Sequence, residues 1–266
     1  MEQSKNDTAE VISLMLGSTS FRNKFIQAYF DFVYNPAYDF TTGRLNGYRK
    51  LLSKCIDKLG LCANDAILCV GLGTGNELEY ILKKSGGVRI VGVDLSRKAL
   101  EIAYRKGRTI STQIETMVMD AKALTFPDNT FDKVVCIHVM DFVDEPEKAT
   151  TEILRVLRKG GEFLITYPST KEGRKLGANL LRENIRYRMG LGQNRARATL
   201  ASIGQLVMGM VYLPILLRPN SKTYSAQALR DLISGFTIQF RIEEYPEYCD
   251  FIAHGSKSIP WGGSYD

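Results

Sequence analysis

The sequence predicts an α/β fold, a doubly wound sheet of mostly parallel strands that ends in an antiparallel hairpin. Three observations predict it. Between residues 66 and 167, short apolar runs alternate with stretches of helical period, the mark of repeated strand–helix units. The runs are apolar throughout rather than at every second residue, which suits strands buried on both faces. The last two runs, 236–245 and 248–255, are joined only through Pro246 and its neighbours, a link too short for a parallel crossover.

Residues 9–60 read as helical. Val11, Leu14 and Met15 begin one apolar stripe, and Phe21, Phe25, Tyr29 and Phe32 form another at spacings of three and four. Asn35-Pro36 breaks the pattern. Leu51, Leu52, Cys55, Ile56 and Leu59 resume it up to a stop at Gly60. The core then reads as strand 66–70, helix 76–84, strand 88–93, helix 96–106, strands 115–119 and 131–139, helix 145–159 and strand 161–167. Residues 170–224 interrupt this rhythm. Ser225 is a good N-cap for a helix at 226–233, and the hairpin follows.

At 266 residues the chain is long enough for one α/β domain with an elaboration. Its 44% hydrophobic and 24% charged residues exclude a wholly disordered, collagen-like or coiled-coil chain. Five scattered cysteines without a CxxC pair indicate neither a disulfide framework nor a zinc site. With the polar start MEQSKNDTAE, they fit a reducing cytoplasm. The net charge of +6 is concentrated: residues 170–223 hold ten Lys or Arg and two Glu. A nearly neutral body with one basic segment is not the pattern of a nucleic-acid binder.

The chemistry-bearing positions fall after successive strands. Gly71, Gly73 and Gly75 (Val70-Gly-Leu-Gly-Thr-Gly) follow the first strand and open a helix. Glycines there permit a tight turn and close approach of a ligand to backbone N–H groups at a helix start. The spacing is G-x-G-x-G, with Asn76 where a dinucleotide fingerprint would place its third glycine. Asp94 ends the second strand, nineteen residues past Gly75, where a carboxylate can accept both ribose hydroxyls of an adenosine; capping the next helix is the competing role. Asp120, before Ala121, ends the third strand, placed to accept from an adenine amino group while flanking backbone reads the ring edge.

The run from 60 to 168 resembles class I S-adenosylmethionine-dependent methyltransferases, especially the small-molecule ubiquinone/menaquinone C-methyltransferases. Residues 67–75 (ILCVGLGTG) carry the resemblance at the first motif and 91–96 (VGVDLS) at the ribose motif. Residues 119–135 carry it from the adenine-binding Asp onward, and 147–166 at the helix and Lys/Arg-x-Gly-Gly turn. The resemblance implies a Rossmann-like, seven-stranded sheet with an antiparallel last strand. It divides the chain into a helical lid (1–60), a donor-binding core (61–169 and 225–256), a cap (170–224) and a tail (257–266). The implied cofactor is S-adenosyl-L-methionine, held by Gly71, Gly73, Gly75, Asp94, Leu95, Asp120, Ala121, His138 and Tyr38. The sequence departs from the pattern at Cys69, where the family usually has an acid that holds the donor's polar tail. Glu77 and Glu79 are expected too far along the next helix to replace it.

His138, near the end of the fourth strand, is a candidate general base, and Asp141 is an alternative; a hydrogen-bonded strand-end histidine is the plain reading. Tyr38-Asp39 resembles a lid position over the donor, although a helix-breaking turn explains it equally well. The cap joins a basic stretch (171–197) to twenty uncharged residues from Ala198 to Leu217. Thr, Ser, Gln, two Gly and Pro214 within that stretch, and strands that must return to the same sheet, argue against a membrane span. A basic and apolar cap suits a small lipophilic, anionic acceptor, or peripheral contact with an anionic membrane; a solvated basic helix is the bland alternative. The expected activity is methyl transfer to a quinone, isoprenoid, lipid or natural product. A non-methylating enzyme of the same fold stays open through Cys69. A nucleic-acid methyltransferase is disfavoured because residues 138–141 read His-Val-Met-Asp, not N-P-P-Y, and no nucleic-acid partner is expected.

Overall fold

The computed structural model describes residues 35, 38–39, 45–110, 114–169, 173–208, 223–236, 238–246, 248 and 250–258. The apolar stripes expected between residues 11 and 32, residues 209–222 of the cap and most of the tail lie outside these. In chain order the elements are α1 (Asn46–Asp57), β1 (Ala66–Val70), α2 (Leu78–Lys84), β2 (Arg89–Asp94), α3 (Arg97–Thr109), β3 (Ile114–Val118), β4 (Phe131–Cys136) and α4 (Pro146–Val156). They continue with β5 (Leu157–Pro168), α5 (Gly173–Gly190), α6 (Arg195–Met208), α7 (Ala226–Ser234), β6 (Ile238–Tyr245) and β7 (Asp250–Lys257).

The expected doubly wound sheet is present, with seven strands in the order β3-β2-β1-β4-β5-β7-β6. β1 to β5 are parallel, and β7 runs antiparallel between β5 and β6. Alternate strand residues point to opposite faces. Leu68, Val70, Val134, Phe163 and Ile165 pack beneath Ile153 of α4 and Leu229 and Ile233 of α7. Ile67, Cys69, Ile90, Val135 and Leu164 pack beneath Leu51 and Cys55 of α1, Ile81 of α2 and Leu100 and Ala103 of α3. Each such aliphatic side chain contributes about 1.5–3 kcal/mol by leaving water, and burial on both faces explains why β1 and the interior of β2 carry no polar alternation.

Several boundaries differ from expectation for local reasons. β4 stops at Cys136 rather than 139, because His138 takes the left-handed conformation (φ +57°), which no strand can continue through. α4 ends at Val156, and β5 begins at once, taking in the Arg-Lys-Gly-Gly turn. There the register jumps: Phe131 faces Leu157, but Lys133 faces Glu162. Gly160 supplies a positive φ of 74°. The cap's ends meet again at Ser169 and Tyr224, where Tyr224 N donates to Pro168 O at 2.8 Å.

Gly161 is where the β4–β5 bulge closes tightest. A Cβ there would lie 2.8 Å from the Asp132 carbonyl oxygen and 2.9 Å from that of Arg158, backbone atoms that cannot step aside. Gly161→Ala should therefore cost about 1–3 kcal/mol and lower Tm in thermal unfolding by several degrees; an unchanged Tm would show that the bulge can open.

Candidate active site

All the positions expected to bind the donor gather at one edge, beyond the carboxyl ends of β1 to β4, where the strand order reverses between β1 and β4. The glycine turn has three positive φ values, +67° at Gly71, +54° at Gly73 and +75° at Gly75. Side chains are excluded at its two ends. A Cβ on Gly71 would lie 2.2 Å from Val139 Cγ2, and one on Gly75 2.7 Å from Leu78 Cδ1. Gly73 differs: the nearest atom to its added Cβ is Gly71 O at 3.9 Å, so its backbone faces open space that a ligand can enter.

Asp94 clamps this turn. Its Oδ2 accepts from Gly73 N at 2.9 Å and its Oδ1 from Ser96 N at 2.8 Å. Ser96, not Asp94, caps α3, accepting from Ala99 N at 3.1 Å. The expected competition between ribose binding and capping is therefore settled for capping in favour of Ser96. Leu95, between them, is 61% exposed at the same edge. Asp120 Oδ1 accepts from Lys122 N at 2.9 Å, and Ala121 is buried beside it. Lys122 reaches across to Asp144 at 2.6 Å, tying the loop after β3 to the loop after β4.

Three described residues ahead of α1 reach this edge. Asp39 Oδ1 accepts from Thr74 Oγ1 at 2.7 Å, and Asp39 pairs with Lys106 at 2.7 Å. Asn35 Nδ2 donates to Ser96 Oγ at 2.9 Å, and Tyr38 OH donates to Tyr48 OH at 2.9 Å. Asp39 thus lies against the glycine turn, while Tyr38 meets Tyr48 of α1.

Beyond β4 is a second cluster. His138 N donates to Thr166 Oγ1 at 2.8 Å. Its ring stacks against Tyr248 and Tyr48 at centroid distances of 4.8 and 5.5 Å. Its Nε2 pairs with Asp250 at the start of β7. Burial pushes the imidazole pKa down, but the Asp250 carboxylate outweighs this and leaves it raised. Asp141 is a buried acid whose Oδ1 has no hydrogen-bond partner among the described residues. Burial first, then nearby Asp250, pushes its pKa up to about 6. Sequence reasoning missed Asp250, Tyr48 and Tyr248. Asp250 is 112 positions from His138, and its sequence signal is an acid opening a strand just before the apolar run Phe251-Ile252-Ala253.

Cys69 has become a core residue, fully buried, its thiol pKa driven well up by burial. The acid expected there is nearby after all. Glu77 precedes α2 as its N-cap instead of lying along it. Its side chain is buried, close enough to Cys69 and Cys136 to raise both thiols, and burial pushes its own pKa to about 7. Glu79, by contrast, is exposed and pairs with Lys83.

Residues 68–165 match the family described as methyltransferase domain, the span that contains the glycine turn, Asp94, Asp120 and His138. This part of the chain is similar to methyltransferase domains. A phosphatidylethanolamine N-methyltransferase of Cereibacter sphaeroides is 36% identical over 131 residues, covering 48% of this chain and 61% of the relative. A demethylmenaquinone methyltransferase of Renibacterium salmoninarum is 32% identical over 145 residues, covering 53% and 57%. The chain thus spans little more than half the length of these curated relatives. In three dimensions it is similar to a structure from Methanococcus maripaludis titled a putative S-adenosyl-L-methionine-dependent methyltransferase. The TM-score is 0.60 at 17% identity, covering 86% of this chain and 94% of that one, a likeness of fold. The chain therefore has the Rossmann-like seven-stranded architecture expected, with its antiparallel strand in place.

The His138–Asp250 pair has a measurable consequence. The partner favours the charged imidazole, so its contribution to stability is full below about pH 6.5, the ordinary histidine value. It fades as pH rises through the raised folded value. Asp250→Asn should lower the His138 pKa, followed by NMR of the ring protons. An unmoved titration would show that Asp250 does not govern the ring.

Proposed function

We propose that the protein transfers a methyl group from S-adenosyl-L-methionine to a small lipophilic acceptor bearing an anionic group. The observation that carries this is the Asp94 clamp on a glycine turn whose central residue is open to a ligand. Gly73 and Gly75 offer backbone at a helix start, Asp94 accepts the ribose hydroxyls, and Leu95, Asp120 and Ala121 frame the adenine. Tyr38 covers the donor from the lid. Glu77 takes the place of the acid missing at Cys69 and meets the donor's ammonium. The phospholipid and quinone methyltransferases among the relatives support a lipophilic acceptor.

The donor supplies an already activated methyl group, so the chain's task is chiefly to align the acceptor. His138 then removes a proton where the acceptor must lose one. With Nε2 turned to Asp250, Nδ1 is the ring atom left to accept it, and Asp141 lies beside it as a second acid.

Three measurements test this reading. Asp94→Ala should weaken binding of S-adenosylhomocysteine at least about tenfold in calorimetry, since charge-assisted hydrogen bonds are worth roughly 1.5–3 kcal/mol each; unchanged affinity removes the ribose assignment. Near pH 6, Glu77 is largely protonated in the free protein, and an ammonium beside it favours the carboxylate. Donor binding there should release a proton, seen as a binding enthalpy that varies with the buffer's ionisation heat, and Glu77→Gln should abolish that variation. A variant that releases the same proton would place the ammonium elsewhere. Finally, methyl-labelled donor with a lipid and quinone extract should label a small molecule. Label in RNA, or donor binding with nothing labelled, would favour a nucleic-acid methyltransferase or a non-methylating enzyme.

A further inference from the structure

The α5–α6 hairpin is built inside out. Among the described side chains, those turned inward are small or polar. Asn184 Nδ2 donates to Gln205 Oε1 at 2.8 Å, Arg188 Nη2 donates to the same oxygen at 3.1 Å, and Ala198 and Ser202 are fully buried. The Ser202 hydroxyl and Arg188 Nε are buried without hydrogen-bond partners among the described residues. Its outer face is the apolar one: Leu200, Ile203 and Val207 are 74%, 43% and 55% exposed. They fall at i, i+3 and i+7, one continuous stripe along α6, and Arg197 extends that stripe by a further turn. At the hairpin tip Leu191 is exposed as well. A helix pair that meets only water has the opposite arrangement, with large apolar residues turned inward.

The stripe is fringed with positive charge. Arg186, Arg195 and Arg197 are all exposed. Residues 173–208 contain a single acid, Glu183, which is turned to Lys50 of α1 at 2.5 Å. A second copy of this face would bring like charges together. A surface of apolar depth and negative charge matches both features. No helix among the described residues is long and apolar enough to cross a membrane, so the fitting geometry is a hairpin lying in the interface plane.

We propose that the outer face of the α5–α6 hairpin docks on an anionic lipid bilayer, with Leu200, Ile203 and Val207 entering the headgroup boundary and Arg186, Arg195 and Arg197 meeting lipid phosphates. This goes beyond the methyl-transfer reading and does not depend on it, because docking is read without turnover. In turn it supplies a route by which a lipophilic acceptor reaches the sheet edge.

Flotation of the full chain with vesicles tests it. The protein should float with phosphatidylcholine vesicles containing phosphatidylglycerol and stay behind with phosphatidylcholine alone, and 0.5 M salt should weaken the binding. The double variant Leu200→Glu/Ile203→Glu should lower partitioning at least tenfold with an unchanged Tm, and Arg186→Gln/Arg195→Gln/Arg197→Gln should remove the preference for anionic lipid. Absence of wild-type flotation with anionic vesicles overturns the proposal, as does undiminished binding by the apolar variant. So does a shift of that variant from dimer to monomer in light scattering, which assigns the face to a second copy. A fall of several degrees in its Tm assigns the face to the chain's own packing and overturns it equally.

Discussion

The Asp94 carboxylate is the junction on which the donor edge depends. One oxygen fixes the glycine turn through Gly73 N, and the other fixes the start of α3 through Ser96 N. The Asp94 carbonyl accepts from Met119 N at 3.1 Å, just past β3. The preceding carbonyl, Val93 O, accepts from Gly71 N and Leu72 N at 2.7 and 3.0 Å. Two residues at the end of one central strand thus set the positions of the turn after β1, the helix after β2 and the loop after β3. Ser96 extends the junction to the lid through Asn35. Asp94 thus holds this frame through both of its carboxylate oxygens.

Around that junction the edge carries acids that burial leaves uncompensated. Glu77 and Asp141 both have raised pKa values with burial as the leading cause, and neither is paired with a basic side chain by a hydrogen bond among the described residues. Such groups destabilise the free protein at neutral pH, since a raised carboxyl costs stability as pH climbs past its unfolded value. Positions of this kind collect at functional sites. They lie on opposite flanks of the glycine turn, Glu77 at the start of α2 and Asp141 beyond β4. The proposed function uses this polarity, with the donor's cationic tail at Glu77 and Asp141 beside His138, which removes the proton.

The fold was legible because its inner strands are buried on both faces: AILCV and the IVGV of β2 have no polar residue to confuse the period. Boundaries were less legible where one residue's conformation decides them. Nothing in HVMD announces that His138 turns left-handed and ends β4, and Lys-Gly-Gly read as a turn although the sheet absorbs it as a bulge. Glycines and strand-end acids were readable since they act through neighbours in the chain. Asp250 and Tyr248 were not, because they reach His138 only after β7 inserts beside β5. Glu77 is expected along a helix that starts at Asn76; the helix begins two residues later, and Glu77, preceding it, is buried. In the cap, composition revealed basic and apolar content, but only the helix pairing shows that the apolar face is the outer one.

The most direct test of the account is a crystal structure of the protein with S-adenosylhomocysteine. The account predicts both ribose hydroxyls within about 3 Å of the Asp94 carboxylate, backbone of Gly73 against the ligand, the adenine beside Leu95 and Asp120, and the ammonium turned toward Glu77. Density for the ligand away from Asp94, or a ribose that leaves the carboxylate to Gly73 and Ser96 alone, would contradict it.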